Sequence, residues 1–310
     1  MFTVYGIMVL YNKPLLESNT FNSLMKLLDH EEFLIYTESA LEDANKNVES
    51  KAGFELIIVD NSEPEKISAA DNAKTQIAVK QRNCTYISVD GNKGLPKAYN
   101  AALDVIKAKN PDMIGFAMLL DDDTEISKSY LQEVFSQVEF GAQIESDNKY
   151  AAEKLMAGVY LPVIYDEIGM MSPSTLRRYY AHRAMCKPEE ILDKRLCGIN
   201  SGMLISLGIF RTYRYNEKMF LDYVDHIFIR DMRDAGVRME VLYDAVLNQH
   251  FSGNIHTVPQ ARKRFKIFKK DVWIFCKESP AGWLTYLYII IRRKMKFVKQ
   301  YGDWKLFFTM

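Results

Sequence analysis

A chain of 310 residues, 48% hydrophobic and 26% charged, is long enough for one large α/β domain with appendages or for two small domains. Its 40 basic and 40 acidic residues give a formal net charge of zero, which argues against a general nucleic-acid binder. The balance is uneven, because residues 259–310 hold 13 Lys and Arg against 3 Asp and Glu, so an acidic body precedes a basic tail.

The four cysteines, Cys84, Cys186, Cys197 and Cys276, are scattered with no Cys-x-x-Cys spacing. They suggest neither a zinc site nor a disulfide framework and fit a reduced, cytosolic setting. The N-terminus lacks a basic leader and a small-residue cleavage site, and reads as a strand of the fold.

In chain order, Phe2 to Leu10 is rich in β-branched and aromatic residues and ends at the turn signal Tyr11-Asn12-Lys13-Pro14, which predicts a first strand. Leu15 to Leu28 has helical spacing, and the polar stretch from Asp29 to Gly53 reads as a helix or an insertion. Phe54 to Val59 predicts a strand ending in Asp60-Asn61-Ser62. A helix and a weak strand around Ile77 follow, then a strand over Thr85 to Val89 ending in Asp90-Gly91-Asn92-Lys93-Gly94. Pro96 suits the first turn of a helix carrying Tyr99, Asn100, Leu103 and Ile106. Met113 to Leu120 predicts a buried strand stopping at Asp121-Asp122-Asp123. This alternation of strand, polar strand end and helix implies a mostly parallel wound sheet.

Beyond it, a helix is expected over Ser127 to Val138, a polar stretch to about Glu153, and a strand over Ala157 to Ile164. Tyr165 to Lys194 reads as an irregular, acceptor-side lid. Cys197 to Ser206 contains Asn200-Ser201-Gly202 and a strand. Phe220 to Asp225 leads into a helix ending near Gly236, and Met239 to Leu247 predicts a last strand ending near His250.

Three carboxylates at the end of a buried strand repel one another, so they need a cation or open water. In wound sheets ligands bind at the carboxyl ends of strands, and aspartates there can hold a hard divalent ion through oxygen. The alternative is a solvated turn or a helix N-cap. A calcium loop is excluded, because Ile126 and Gln132 stand where it needs Gly and Glu. An aspartyl phosphohydrolase lacks its later strand-end Gly-Asp partner. Asp60-Asn61, Asp90 with Asn92 and Gly94, and Asp121 to Asp123 would share one crevice in a wound sheet.

With Tyr11-Asn12, Val59-Asp60-Asn61-Ser62, Asn92-x-Gly94 with Asn100, Leu120-Asp121-Asp122-Asp123-Thr124, Asn200-Ser201-Gly202, Phe220 to Asp225 with Arg230, and His250 in this order, the sequence resembles the inverting glycosyltransferases of family 2, whose nucleotide-sugar-binding fold is called GT-A. The wording is most similar to bacterial rhamnosyltransferases, with polymerising galactofuranosyltransferases a close second. The resemblance implies that Tyr11, Asn12, Asp60, Asn61, Asn92, Gly94, Asn100, Asp121 and Asp122 face a UDP- or dTDP-sugar, with Asp60 on the pyrimidine. It implies a manganese or magnesium ion on Asp121, Asp123 and His250. Asp225 is the implied catalytic base with Asp222 as its rival, and Asn200, Ser201 and Gly202 face the acceptor. Asp122 departs from the pattern, since many rhamnosyltransferases carry Gln there. His250 also reads as a buried structural histidine, and Asp222 and Asp225 as helix caps.

The fold expected is a GT-A domain over residues 1–258, divided near residue 126, followed by a basic amphipathic helical tail over 259–310. The tail mixes cations with aromatic residues, and its apolar run Trp283 to Ile291 is far short of the roughly 20 residues that cross a bilayer. It suits a helix lying on an anionic membrane surface, which would place the protein at the inner face of the cell membrane. The alternative is a helical pair packed on the domain or at the interface of a homo-oligomer. The function expected is transfer of a sugar to a lipid-linked surface glycan. An inactive nucleotide-sugar-binding or membrane-assembly subunit is the alternative. A pyrophosphorylase lacks its Gly-rich phosphate loop.

Overall fold

The computed structural model describes residues 2–37, 52–147, 156–177, 180–183, 187–191, 195–249 and 257–310. His250, His256 and Cys186 lie outside them. The leading strand β1 (Phe2–Leu10) is buried over its whole length, as its apolar sequence requires. It pairs in parallel with β2 (Ala52–Asp60) on one side and with β4 (Gly115–Leu120) on the other, and β2 pairs in parallel with β3 (Thr85–Ser88). Leu10 stands opposite Asp60, Asp60 opposite Ser88, and Met8 opposite Leu120. The carboxyl ends of the four strands therefore form one edge, and the chain reverses direction across the sheet at the β1/β4 junction.

The sheet continues through β11 (Leu204–Ser206), β6 (Val159–Asp166), β12 (Met239–Gln249) and β5 (Thr124–Glu125). The long β6–β12 ladder is parallel, whereas β11 and β5 pair antiparallel with their neighbours. Successive β1 residues point to opposite faces, so Tyr5, Ile7 and Val9 enter one core and Val4, Met8 and Leu10 the other. Helices α1 (Asn19–Leu28), α2 (Glu31–Leu34) and α5 (Lys128–Asp147) cover the second core. Helices α4 (Leu95–Lys109), α6 (Val224–Asp234), α7 (Val258–Cys276) and α8 (Gly282–Tyr301) cover the first.

Three expectations are corrected. Ile77 belongs to helix α3 (Ala69–Gln81) and is exposed, because the short apolar patch around it is one helical turn rather than a strand. The helix begun near Ser127 runs on to Asp147, through the stretch read as polar loop. The segment expected to be irregular holds three short strands, β7 (Gly169–Ser172), β8 (Ser174–Arg177) and β9 (Tyr180–Arg183). Strand β7 pairs with β6, and β8 joins β9 and β10 (Leu196–Cys197) in a small antiparallel sheet.

The helical tail packs on the sheet domain. Phe265, Val272 and Phe275 of α7, with Ile289 and Phe297 of α8, belong to the same buried cluster as Ile7 and Leu119 of the sheet. Each such side chain contributes about 1.5–3 kcal/mol by burial, so residue 258 is no boundary of packing. The Arg293 guanidinium lies over the Phe268 and Phe297 rings at 5.1 and 5.4 Å, binding α8 to α7. A short α9 (Lys305–Thr309) closes the chain.

Candidate active site

Strand β4 delivers Asp121, Asp122 and Asp123 to the carboxyl edge, and the start of α1 braces them. Ser18, the N-cap of α1, accepts from the Phe21 amide and donates to the Asp122 carbonyl at 2.8 Å. The Thr20 hydroxyl bonds the Asp121 and Thr124 carbonyls and accepts the Thr124 amide at 3.0 Å. The triplet is thus a loop held by tertiary contacts, and neither an open turn nor a helix cap.

The three carboxylates have different surroundings. Lys13 forms an ion pair with Asp122 at 3.2 Å, and the Ser201 hydroxyl donates to Asp121. Burial, followed by the negative charges of Asp123, Asp122 and Asp225, pushes the Asp121 carboxyl up to about 6 despite that hydrogen bond. Burial and the Asp122 charge also raise Asp123. Strand β12 ends beside the loop, with Gln249 opposite Thr124, and the expected ligand His250 lies outside the described residues. Among the described residues no group of three His, Cys, Asp or Glu is gathered to hold a metal.

At the ends of β1 and β2, the Asn12 amide donates to the Ser62 hydroxyl at 2.8 Å and the Glu63 amide to the Asn12 side chain at 2.9 Å. Asp60 accepts from the Ser62 amide at 2.9 Å and from the Tyr86 hydroxyl at 2.6 Å. Burial and the Asp60 charge raise Tyr86, so that hydroxyl stays a donor. Asn61 accepts the Lys93 amide at 2.8 Å and reaches Asn92 at 3.3 Å. Tyr11 stands exposed at the rim of the edge.

Gly94 opens α4 at φ +89°, and a Cβ there would come within 2.8 Å of the Phe220 carbonyl oxygen. That carbonyl accepts the Leu95 amide at 2.7 Å, so the Phe220–Asp225 segment is seated on the start of α4. Tyr99, inside α4, has a buried hydroxyl without a hydrogen-bond partner among the described residues; burial raises it, and the charges of Asp121 and Asp225 raise it further. The charges of Asp121 and Asp225 thus both act on this hydroxyl, and Asp225 acts on Asp121.

Asp222 and Asp225, both also readable in sequence as helix caps, have different partners. Asp222 is bound by both guanidinium nitrogens of Arg264 from α7, the second at 2.7 Å. Asp225, in the first turn of α6, accepts from the His226 amide at 2.8 Å and contacts the His226 ring Nδ1 at 2.5 Å, both through Oδ1. Its Oδ2 makes no hydrogen bond among the described residues. Burial lowers the His226 imidazole, but the Asp225 charge and hydrogen bond, with Asp222 behind, raise it on balance.

Two groups of expected ligand residues have other partners. Asn100 is buried and bonds the Tyr215 backbone twice, at 3.0 Å each, and Glu217 at 2.9 Å, so it clamps the 215–217 segment. Asn200-Ser201-Gly202 is a turn whose Gly202 amide donates to the Leu119 carbonyl at 2.8 Å, placing Ser201 on Asp121. Gly202 has φ +70°, and a Cβ would meet Leu247 at 2.6 Å. Lys13, Ser18, Thr20, Tyr86 and Arg264 were missed by sequence reasoning. Only Lys13, within the turn signal after β1, carried a local sign.

Residues 20–162 match the family model described as Glycosyl transferase family 2. The crystal structure of GalNAc-T7 with UDP, GalNAc and Mn2+ is similar, with a TM-score of 0.53 and 13% identity, over 91% of this chain and 51% of that one. The chain thus spans about half the length of that neighbour, and at this identity the likeness concerns the fold. No curated protein matches the sequence. The family match covers less than half of the chain, and the fold that holds it is GT-A.

Proposed function

We propose that the protein is a metal-dependent, inverting glycosyltransferase that moves a hexose from a UDP- or dTDP-sugar to a hydroxyl of a lipid-linked glycan. The observation that carries this reading is that the charge of Asp225, whose Oδ2 makes no hydrogen bond among the described residues, acts on Asp121 of the strand-end loop, while Asp222 is taken by Arg264. Asp60 keeps lone pairs for the N–H of a pyrimidine while Tyr86 and Ser62 fix its orientation, and Tyr11 offers a ring at the rim. Asp225 Oδ2 takes the proton of the attacking acceptor hydroxyl, and His226 holds the other oxygen in place. One base and one displacement suffice for inversion. Rhamnose and galactofuranose are the sugars favoured by the wording of Asp121–Thr124 and Phe220–Asp225.

Hard carboxylate oxygens suit magnesium or manganese, which commonly bind through one or two carboxylates and the substrate's phosphates. The crowded, unneutralised Asp121 and Asp123 fit such an ion, with His250 as the further ligand proposed from the sequence. When bound it supplies a Lewis acid for the leaving diphosphate. The test is thermal stabilisation by nucleoside diphosphates and their sugars, with and without manganese. We expect stabilisation by UDP or dTDP compounds that is lost with chelator and in Asp123→Ala. Equal stabilisation in excess chelator would remove the metal from the reading.

The tail supports a membrane partner. On α8, Trp283, Leu284, Leu287, Tyr288, Ile291 and Met295 share one helical face and are exposed, Trp283 and Tyr288 by 55% each. Lys296 and Lys299 on α8 and Lys263, Lys266 and Lys270 on α7 are exposed as well. No helix among the described residues is long and apolar enough to cross a membrane. Aromatic side chains at headgroup depth with cations around them fit an anionic bilayer surface.

A further inference from the structure

Helix α7 carries one fully buried carboxylate, Asp271, among its many cations. Its Oδ1 accepts the Phe220 amide at 2.9 Å, and its Oδ2 accepts the Leu221 and Asp222 amides at 2.8 and 2.9 Å. Three consecutive backbone N–H groups thus converge on one side chain some fifty residues later in the chain. An isolated buried carboxylate is costly, and this one is compensated, among the described residues, by three backbone amide donors. The same peptide run is fixed from the opposite side, where the Phe220 carbonyl accepts the Leu95 amide at 2.7 Å. Arg264, two turns earlier on α7, captures the Asp222 side chain.

Directly after this run, Tyr223 takes a left-handed backbone at φ 63°, and α6 begins without a side-chain cap. A bulky residue in that region holds its conformation only when its surroundings over-determine it. Here they do: the Tyr223 ring packs against His226 at 4.9 Å and Phe275 of α7 at 4.8 Å, and the three preceding amides are bound to Asp271. Asp225 lies two residues beyond.

We propose that Asp271 is a positioning residue for Asp225, fixing the strained lead-in to α6 so that Oδ2 meets the acceptor hydroxyl. The C-terminal helices are then part of the catalytic apparatus as well as a surface element. This rests on Asp225 being the base.

The experiment compares Asp271→Asn, Asp225→Asn and the double variant in the full chain, measuring nucleotide-sugar affinity and turnover separately. The amide replaces one accepting oxygen by a donor, so at least one backbone N–H loses its partner. We expect Asp271→Asn to keep donor affinity and lose turnover by roughly 10²-fold, the scale of a 1 Å misplacement. The double variant should be no slower than Asp225→Asn alone, because both changes act on one group. Asp271→Glu, which keeps the carboxylate, should recover part of the turnover, and it reads the same division if the Asn variant does not fold. Losses that multiply in the double variant, or affinity falling in step with turnover, would reduce Asp271 to a stabilising contact. An unaffected turnover in Asp225→Asn would instead remove the base assignment, and the positioning role with it.

Discussion

Two aspartates three positions apart illustrate what a residue's surroundings decide. Asp222 and Asp225 have side chains about equally exposed, 19% and 16%, yet one is tied to Arg264 and the other to its neighbour His226. We expect Asp222→Asn to lower stability by about 1.5–3 kcal/mol, the range for a hydrogen bond to a charged group, and to leave turnover far less affected than Asp225→Asn does. Thermal melts beside rate measurements would show it, and equal loss of rate in both variants would contradict it. His226 adds a dependence on pH. Because its folded-state pKa is raised above the ordinary value, its contribution to stability is complete below about pH 6.5 and is lost as pH rises through the raised value. The wild type should therefore lose its stability advantage over His226→Gln between acidic and mildly alkaline pH. A gap that stays constant across that range would argue against an Asp225–His226 ion pair.

Among the elements, α7 is the one whose role differs most from its reading in sequence. Phe275 is fully buried, touches Tyr223, and carries the carbonyl that accepts from Arg230 at 3.0 Å. Phe275→Ala should destabilise by about 3–5 kcal/mol. Ending the chain at residue 257 should fail to give a folded nucleotide-binding domain, as judged by circular dichroism and melting. A well-folded truncated chain would contradict the role of these helices in the core. The strand edge was legible, because each of β1, β2 and β4 is an apolar run that stops at polar residues, and the β1/β4 junction follows from their alternation with helices. The tail was not. Phe265, Phe268, Val272 and Phe275 mark one face of a helix, but periodicity reports a face without saying whether protein or lipid covers it. The same limit hid Asp271, which lies on that apolar face one position before Val272. Asn100 and Ser201 looked like ligands in sequence for a related reason: their partners, Tyr215 and Asp121, are tertiary neighbours that no local pattern marks.

For the whole molecule, the proposed function assigns work to two surfaces, the exposed aromatic face of α8 and the strand-end edge. Full-length protein should bind vesicles containing anionic lipid, with binding that weakens as salt rises, since surface charges are screened over about 10 Å at 0.1 M. Replacing Trp283 and Tyr288 by Ser should weaken that binding without changing nucleotide affinity, because both side chains lie in solvent. Indifference of the full-length chain to anionic vesicles at low salt would leave α8 facing another protein. The claim on which the rest depends is that the crevice binds a nucleotide sugar and that Asp225 acts on the acceptor. The most direct measurement is sugar transfer by wild type and Asp225→Asn, with donor affinity determined for each in manganese. We expect equal donor affinity and a turnover lowered by about 10²- to 10⁴-fold in the variant. Undiminished turnover in Asp225→Asn, or donor affinity lost along with it, would contradict the account.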